Sequence, residues 1–248
     1  MKKLSILGVR VDDVSLEEIK NVTEEAIQNK KPSLFVSLGS LTVMLARKDP
    51  AYKDLIVQSK LVICDGAGVA KAVKVLHGKE IEKYSGIDLV PEFFRMSVKK
   101  GYRIFLIGAK EKVIVEAVLR LKSSYPGIDI CGYLNGYSDI INDEKVKEII
   151  KKQSPDILLL GLGQPRQEIW LSNNLKDLAV PVTMGIGGSF DVIAGKIKRA
   201  PSWFRRTGLE WLFRMFIEPW RFKRNLALIM FIILIIKNKF IGGKYNNG

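Results

Sequence analysis

The acidic residue Asp65 stands where a short apolar run, Leu61 to Cys64, gives way to a glycine turn and an apolar helical pattern. In an open α/β sheet, the order strand, carboxylate, glycine turn and helix places the carboxylate at the carboxyl edge, where ligands bind. Glycine lets a ligand approach the backbone closely because it has no Cβ atom. Asp65 is therefore a candidate for acid–base chemistry, and the stretch alone leaves open the alternative that it only caps the helix.

Three further glycine turns follow predicted strands and begin at Gly108, Gly161 and Gly185. Such turns present backbone N–H groups and a helix N-terminus, and both bind anions. Because parallel strands end at one edge of a sheet, the turns and Asp65 together predict a cleft for a nucleotide or a sugar nucleotide. No turn matches Gly-x-Gly-x-x-Gly or the Walker A sequence, which argues against a dinucleotide dehydrogenase and a P-loop NTPase.

Residue types that are scarce in the sequence argue against several other chemistries. His77 is the single histidine, so a Ser-His-Asp hydrolase and a zinc site are disfavoured. The two cysteines, Cys64 and Cys131, lack a metal-type spacing and indicate a reducing cytosol. No Asp-x-Asp pair is present to hold a divalent metal, so arginines and backbone dipoles would have to balance the charge of a bound diphosphate.

The pattern of elements predicts an α/β fold. Apolar runs such as 103–108 and 156–161 alternate with helical segments, and Ser15-Leu-Glu-Glu18 is a capping box that opens a helix ending near Asn29. Strands that are apolar throughout are typical of a parallel sheet covered on both faces. We therefore expect a Rossmann-like parallel sheet with helices on both faces, which forms a core domain over residues 1–195.

The basic charge of the chain is concentrated near its carboxyl end. The net charge is +14, and residues 196–248 contain twelve Lys or Arg and two Glu. In this segment, basic and aromatic side chains precede eleven consecutive apolar residues, Leu226 to Ile236. A membrane span needs about 20 apolar residues, so this length suits an interfacial or core helix instead. The sequence predicts that residues 196–248 form a basic, aromatic helical appendage to the core.

The composition of the appendage favours contact with an anionic membrane surface. Packing on the core or on a second subunit is the alternative, so the formation of a homo-oligomer stays open. The amino-terminal segment lacks the long apolar stretch of a signal peptide. We therefore expect a cytoplasmic protein that is peripherally associated with the inner face of the cell membrane.

Several segments resemble the WecG/TagA/CpsF glycosyltransferase family over nearly the whole chain. They are Asp65-Gly-Ala-Gly-Val, Ser85-Gly-Ile-Asp-Leu89, Gly161-Leu-Gly-Gln-Pro-Arg-Gln-Glu168, the long block from Gly185 to Pro201, and Gly208-Leu-Glu-Trp-Leu-Phe-Arg214 followed by Glu218-Pro219. The resemblance implies an inverting, metal-independent transferase without a cofactor. Its donor would be UDP-N-acetylmannosamine and its acceptor GlcNAc linked to polyprenyl (undecaprenyl) diphosphate, in the synthesis of the wall teichoic acid linkage unit or a related surface polysaccharide. The corresponding uronic acid or another UDP-sugar stays open as the donor.

The resemblance also assigns roles to individual residues. Asp65 would be the general base that takes the proton of the acceptor hydroxyl. Gln167 would hold the sugar or the acceptor, and Asp191 would read the nucleoside. The remaining substrate-binding candidates are Ser37, Gly187, and the diphosphate-facing arginines Arg214, Arg221 and Arg224.

The chain departs from the family pattern at two places. Ser37-Leu-Gly39 stands where relatives usually show a Thr-x-Asn pair, so Ser37 keeps a hydroxyl but Gly39 has no amide to orient a sugar. Tyr84 stands near the position expected for a basic residue, with Lys83 beside it.

Two functions of other classes compete with the transferase. A nucleic-acid-binding protein would account for the basic, aromatic appendage, but it gives the glycine turns and Asp65 no role, so nucleic acid is not expected as a partner. A regulatory protein that binds a nucleotide without catalysis would use the cleft but not the base. Binding of UDP without transfer to any lipid-linked acceptor would favour that second alternative.

Overall fold

The computed structural model describes residues 1–137, 143–197, 200–201, 203–204 and 222–241, and the side chains of 222–225 and 241 are outside this description. The strands are β1 (Lys2–Ile6), β2 (Val9–Asp13), β3 (Ser33–Leu38), β4 (Leu61–Cys64), β5 (Arg103–Gly108), β6 (Asp129–Leu134), β7 (Ile157–Gly161) and β8 (Val182–Gly185). The helices are α1 (Leu16–Gln28), α2 (Ser40–Lys48), α3 (Pro50–Gln58), α4 (Gly66–His77), α5 (Gly86–Lys100), α6 (Glu111–Ser124), α7 (Asp143–Gln153), α8 (Arg166–Leu178), α9 (Ser189–Ile193) and α10 (Phe222–Ile241).

The strands form one sheet in the order β1-β2-β4-β3-β8-β7-β5-β6. All neighbouring pairs are parallel except β1 and β2. The predicted α/β fold is confirmed, and the antiparallel edge pair is an addition to the prediction. Its cause is the tight connection through Leu7 and Gly8, both at positive φ, because two residues are too few for the crossover that parallel strands need.

Helices cover both faces of the sheet, as the apolar strands predict. Along β3, Leu34 and Val36 point to one face and Phe35 to the other, which follows from the two-residue period of a strand. The first face carries α2, α3, α4, α7, α8 and α10, and the second carries α1, α5, α6 and α9. This arrangement leaves the carboxyl ends of the central strands open between the two helical layers.

Local signals in the sequence set the helix ends. The Ser15 hydroxyl accepts a hydrogen bond from the Glu18 amide, and the Glu18 carboxylate accepts one from the Ser15 amide, so the predicted capping box is confirmed. Gly101 ends α5 in the left-handed conformation at φ 72°, which favours glycine. Strand β4 spans Leu61–Cys64, and α4 begins directly after Asp65.

An ion pair on β2 stabilises the position of β4, the strand that precedes Asp65. Asp12 on β2 is 1% exposed and accepts two hydrogen bonds from the Arg10 guanidinium, each 2.7 Å long. The same carboxylate accepts a hydrogen bond from the Val62 amide of β4 at 2.9 Å. Since β2 and β4 share one register pair, Asp12 with Ile63, this side chain supplements a short backbone ladder.

We expect Asp12→Ala to lower the free energy of unfolding by about 3 kcal/mol, because the largely buried Arg10 guanidinium loses its counter-charge and the Val62 amide loses its acceptor. Urea unfolding followed by circular dichroism measures the change. Glu80→Ala is the matched control. It removes the exposed Lys74–Glu80 pair, and we expect no measurable loss of stability. Equal effects of the two substitutions would contradict a special role for Asp12.

Candidate functional site

A cavity of about 750 Å³ lies at the carboxyl ends of β3, β4, β7 and β8. Its walls are the glycine turns after β7 and β8, the first turns of α2, α4 and α5, and one side of α10. This is the edge at which the strand and turn pattern predicts ligand binding. The polar side chains in its lining include Ser37, Asp65, Lys71, Lys83, Gln164 and Gln167.

Asp65 and Ser37 meet at this edge because their strands are neighbours. The pairing of Leu38 with Cys64 brings the ends of β3 and β4 level, and the Asp65 amide donates to the Leu38 carbonyl at 3.0 Å. The Ser37 hydroxyl then donates a 2.7 Å hydrogen bond to Oδ2 of Asp65. Asp65 stands at the N-cap position of α4, but its side chain makes no capping hydrogen bond. The geometry is that of an oriented carboxylate facing a cavity.

The neighbouring thiol is held in its neutral form. Burial and the nearby Asp65 carboxylate raise the pKa of Cys64 to about 12, and Lys83 opposes this shift. A thiol with such a pKa supplies almost no thiolate at neutral pH. Cys64 is therefore a packing residue of β4, and Asp65 is the group beside it that is suited to accept a proton.

Gln167 connects the two glycine turns that form one wall of the cavity. Gln167 is 1% exposed. Its Oε1 accepts hydrogen bonds from the backbone amides of Gly163 at 3.2 Å and Gly187 at 2.9 Å. The Nε2 group donates to Oε1 of Glu168 at 2.7 Å. Gln167 lines the cavity, but both ends of its amide already have partners within the protein.

Glu168 lies behind Gln167 and is completely buried. Burial raises the pKa of its carboxyl group, and hydrogen bonds from Gln167, Tyr52 and Gln164 oppose the shift. The Tyr52 hydroxyl donates to Oε2 at 3.2 Å, and burial beside this carboxylate raises the pKa of Tyr52. The sequence pattern did not single out Glu168 as a functional residue, although it lies within the segment that resembles the family.

A second glutamine ties the turn after β7 to the strand that carries Ser37. Gln164 donates through Nε2 to the Ser37 carbonyl at 3.2 Å, and its Oε1 accepts from the Thr42 hydroxyl at 2.9 Å. The turn after β7 and the Ser37–Asp65 pair therefore belong to one hydrogen-bonded unit.

Of the other predicted site residues that the structure describes, Gly187 lines the cavity and Asp191 does not. Gly187 lines the cavity at φ 53°, a conformation that favours glycine. Asp191 is half-buried on α9, between the lining residues Ser189 and Val192, and is not itself among the lining residues that the structure describes. Arg214 and Arg221 lie outside the described residues, and Arg224 lies in α10 with a side chain outside the description.

Two cationic residues in the lining were not predicted as site residues. Lys71 stands on the second turn of α4 and Lys83 precedes α5. Lys71 could have been found from its position six residues after Asp65, because a helix that begins at the carboxyl edge keeps its first turns near the ligand. The Tyr84 hydroxyl is buried without a hydrogen-bond partner in the described part of the chain, and the basic side chain of the neighbouring Lys83 lines the cavity.

Helix α10 covers the side of the cavity formed by α2 and α4. Phe231 and Ile235 are buried against the core. A second stripe faces outward and is about half exposed or more, at spacings of three and four residues. It consists of Leu226, Ile229, Ile233, Ile236 and Phe240, of which Ile236 also borders the cavity. The predicted apolar helix is confirmed, and it packs on the core along one side.

Neither a membrane span nor a metal centre is present in the part of the chain that the structure describes. In those residues, no helix combines the length and apolar character needed to cross a membrane. The same residues contain no group of three or more His, Cys, Asp or Glu arranged to hold a metal ion.

Comparison of the sequence with known proteins shows the family of this chain. The sequence profile described as "Glycosyl transferase WecG/TagA/CpsF family" matches residues 4–245. One similar protein, the N-acetylglucosaminyldiphosphoundecaprenol N-acetyl-beta-D-mannosaminyltransferase of Bacillus subtilis (strain 168), is 37% identical over 86% of this chain and 82% of its own length. The protein of the same description from Staphylococcus aureus (strain NCTC 8325) is 34% identical over 96% of this chain and 93% of its own length. With its α/β sheet and a cavity built from the matching segments, this chain belongs to the WecG/TagA/CpsF family of glycosyltransferases.

Proposed function

We propose that this protein transfers N-acetylmannosamine from UDP to GlcNAc-diphosphoundecaprenol, with inversion and without a metal ion. The observation that carries the proposal is the Asp65 carboxylate, which Ser37 orients at the mouth of a glycine-walled cavity. The names of the Bacillus and Staphylococcus relatives support the acceptor and the transferred sugar. The transfer would be a step in the synthesis of the wall teichoic acid linkage unit.

The reaction is a single displacement at the anomeric carbon. The acceptor hydroxyl attacks that carbon, the bond from carbon to the UDP oxygen breaks, and UDP leaves with the electron pair. Asp65 takes the proton of the attacking hydroxyl, which makes the nucleophile stronger as the bond forms. Ser37 occupies Oδ2 of this carboxylate and thereby fixes the direction in which the other oxygen points.

The leaving diphosphate carries charge that the site has to balance. Lys71 and Lys83 in the lining supply two positive charges, and the turns after β7 and β8 supply backbone amides. In the proposal, Arg214, Arg221 and Arg224 of the appendage contribute to the same task, and Asp191 contacts the nucleoside. This set of cations takes the role that a divalent metal has in many sugar-nucleotide enzymes.

The outward stripe of α10 suits the lipid acceptor. Helix α10 lines the cavity with Leu228 and Phe231 and exposes Ile229 and Ile233 on its other side. An apolar stripe of this width lies stably in the boundary between headgroups and acyl chains. In the proposal, α10 rests on the inner face of the cell membrane, and the diphosphate headgroup of the acceptor reaches the cavity from there.

The transfer is tested by incubating the protein with a short-chain lipid-diphosphate-GlcNAc and a panel of UDP-sugars, followed by mass spectrometry. We expect a product heavier by one N-acetylhexosamine with UDP-N-acetylmannosamine, in the presence of EDTA as well. A product only with the uronic acid would move the donor assignment to that alternative. UDP binding without any product would indicate a protein that binds the nucleotide but does not catalyse transfer.

We expect Asp65→Asn to lower kcat at least about 100-fold, because an amide cannot take the acceptor proton. The side chains have nearly the same shape, so the melting temperature should stay close to that of the parent protein. Initial rates at saturating donor and acceptor measure the effect. A rate like that of the parent protein would remove Asp65 from the role of base.

We expect Ser37→Ala to lower kcat about tenfold, which corresponds to the loss of one hydrogen bond that orients the carboxylate. Ser37→Thr keeps the hydroxyl and is the matched control, with a rate much closer to that of the parent protein. Steady-state kinetics of both variants measure the difference. Equal rates for the two variants would show that the hydroxyl has no part in the reaction.

We expect the double substitution Ile229→Glu and Ile233→Glu to weaken binding to vesicles that contain anionic phospholipid at least about tenfold, because two exposed apolar side chains that would enter the membrane are replaced by charges. Leu119 lies on α6 in the opposite helical layer and is 59% exposed. Leu119→Glu is the control, and this variant should bind to the vesicles as well as the parent protein does. Vesicle co-sedimentation measures both. If the control lost as much binding as the double variant, the effect would be one of net charge and the stripe would have no special role.

A further inference from the structure

A chain of buried polar groups runs behind the glycine turns and is unused by the reaction itself. Glu168 is 0% exposed and Tyr52 is 2% exposed, and neither is among the residues that line the cavity. A polar group at such depth destabilises the fold unless each of its atoms finds a partner. Here the partners are one another together with Gln167 and Gln164, and Tyr52, Glu168 and Gln167 form a connected line from α3 to the wall of the cavity.

The orientation of the Gln167 amide decides whether the two turns are joined. Its Oε1 accepts from two amide N–H groups that belong to different turns, those of Gly163 and Gly187. The reversed amide would place an NH₂ group against these two donors and break both hydrogen bonds. The position of both turns therefore depends on a group that holds the amide in one orientation.

Glu168 has the chemistry to select that orientation. Its Oε1 accepts from Nε2 of Gln167, and an acceptor at this place admits only the NH₂ end of the amide. The Tyr52 hydroxyl donates to Oε2 and holds the carboxyl group from behind. Gly185 leaves room for the Gln167 amide, since a Cβ atom there would lie 2.4 Å from Nε2 of Gln167.

We propose that Glu168 is a positioning residue for donor binding, because its carboxyl oxygen fixes the amide of Gln167 and thereby the spacing of the turns after β7 and β8. The inference rests on the proposed function in one respect, namely that these turns hold the UDP part of the donor. The positioning role requires a hydrogen-bond acceptor at position 168, and it does not depend on a negative charge there. The raised pKa of Glu168 agrees with a role that a neutral group can fill.

The first test compares two substitutions of similar size. Glu168→Met removes the acceptor, and we expect the Kd for UDP and the KM for the UDP-sugar to rise about tenfold. Glu168→Gln keeps an acceptor: its Oε1 can face Gln167 while its NH₂ group donates to the Tyr52 oxygen. This variant should stay within about threefold of the parent protein in both constants. Isothermal titration with UDP and donor-dependent rates measure them, and thermal unfolding reports the folded fraction.

The second test is a double-mutant cycle that uses variants expected to fold. Tyr52→Phe alone leaves the bond from Gln167 to Glu168 in place and should change UDP affinity little. In the double variant Tyr52→Phe with Glu168→Gln, the new amide loses its acceptor and can turn its NH₂ group toward Gln167. We expect the double variant to lose about tenfold in UDP affinity, far more than the product of the two single effects.

The outcomes separate the positioning role from a merely structural one. A structural role lowers the active fraction of Glu168→Met without changing Kd or KM, and this result would overturn the proposal. Equal losses for the Met and Gln variants would also overturn the proposal, since the charge would then be the important property. Additive effects of the two substitutions in the double-mutant cycle would overturn it as well. If the parent protein binds UDP but transfers no sugar, the proposed function fails, while the UDP titrations still test the positioning role on their own.

Discussion

The parallel pairing of the four central strands is the constraint on which the rest of the structure depends. In the order β4-β3-β8-β7, every strand ends at the same edge, so the residues that follow each strand meet there. The pairing of Leu38 with Cys64 sets Ser37 beside Asp65, and the pairing of Leu160 with Gly185 sets the two glycine turns side by side. A shift of one residue in either ladder would turn these side chains to the opposite face of the sheet.

The site contains two kinds of polar contact with different tasks. The bond from Ser37 to Asp65 lies at the cavity and orients a group that is suited to act on a substrate. The contacts among Gln167, Glu168 and Tyr52 lie behind the cavity, where burial excludes water and makes each unpaired atom costly. Such an interior network favours one arrangement of the turns strongly, because every alternative arrangement leaves a donor or an acceptor without a partner.

Helix α10 packs on the core beside the cavity along one side and exposes an apolar stripe along the other. Phe231 and Ile235 pack on the core, while the stripe that runs from Leu226 to Phe240 remains uncovered in the described part of the chain. Exposed apolar stripes of this kind commonly mark a site of contact with a membrane or with another apolar surface. A lipid-linked acceptor places such a surface beside the cavity, which is why the helix and the proposed substrate suit each other.

Much of the fold and part of the site could be predicted from the sequence, because they depend on local signals. The capping box at Ser15, the run from Leu61 to Cys64 and the acidic residue after it are each encoded within a few neighbouring positions. Ser37, Asp65, Gln167 and Gly187 were predicted individually, and the structure brings all four to the same cavity. The roles predicted for Asp191 and for the three arginines of the appendage stay predictions.

The sequence by itself determined the α/β class, the strand and helix pattern and the presence of a carboxylate at a strand end, since residue type and spacing act within one element. Only the tertiary structure decided which groups meet. The engagement of both ends of Gln167, its bond to Glu168 and the contact of Tyr52 from α3 join residues up to 116 positions apart. Lys71 and Lys83 likewise become site residues only when α4 and the start of α5 reach the same edge. The physical reason is that local sequence sets the conformation of each segment, whereas burial and strand register set its neighbours.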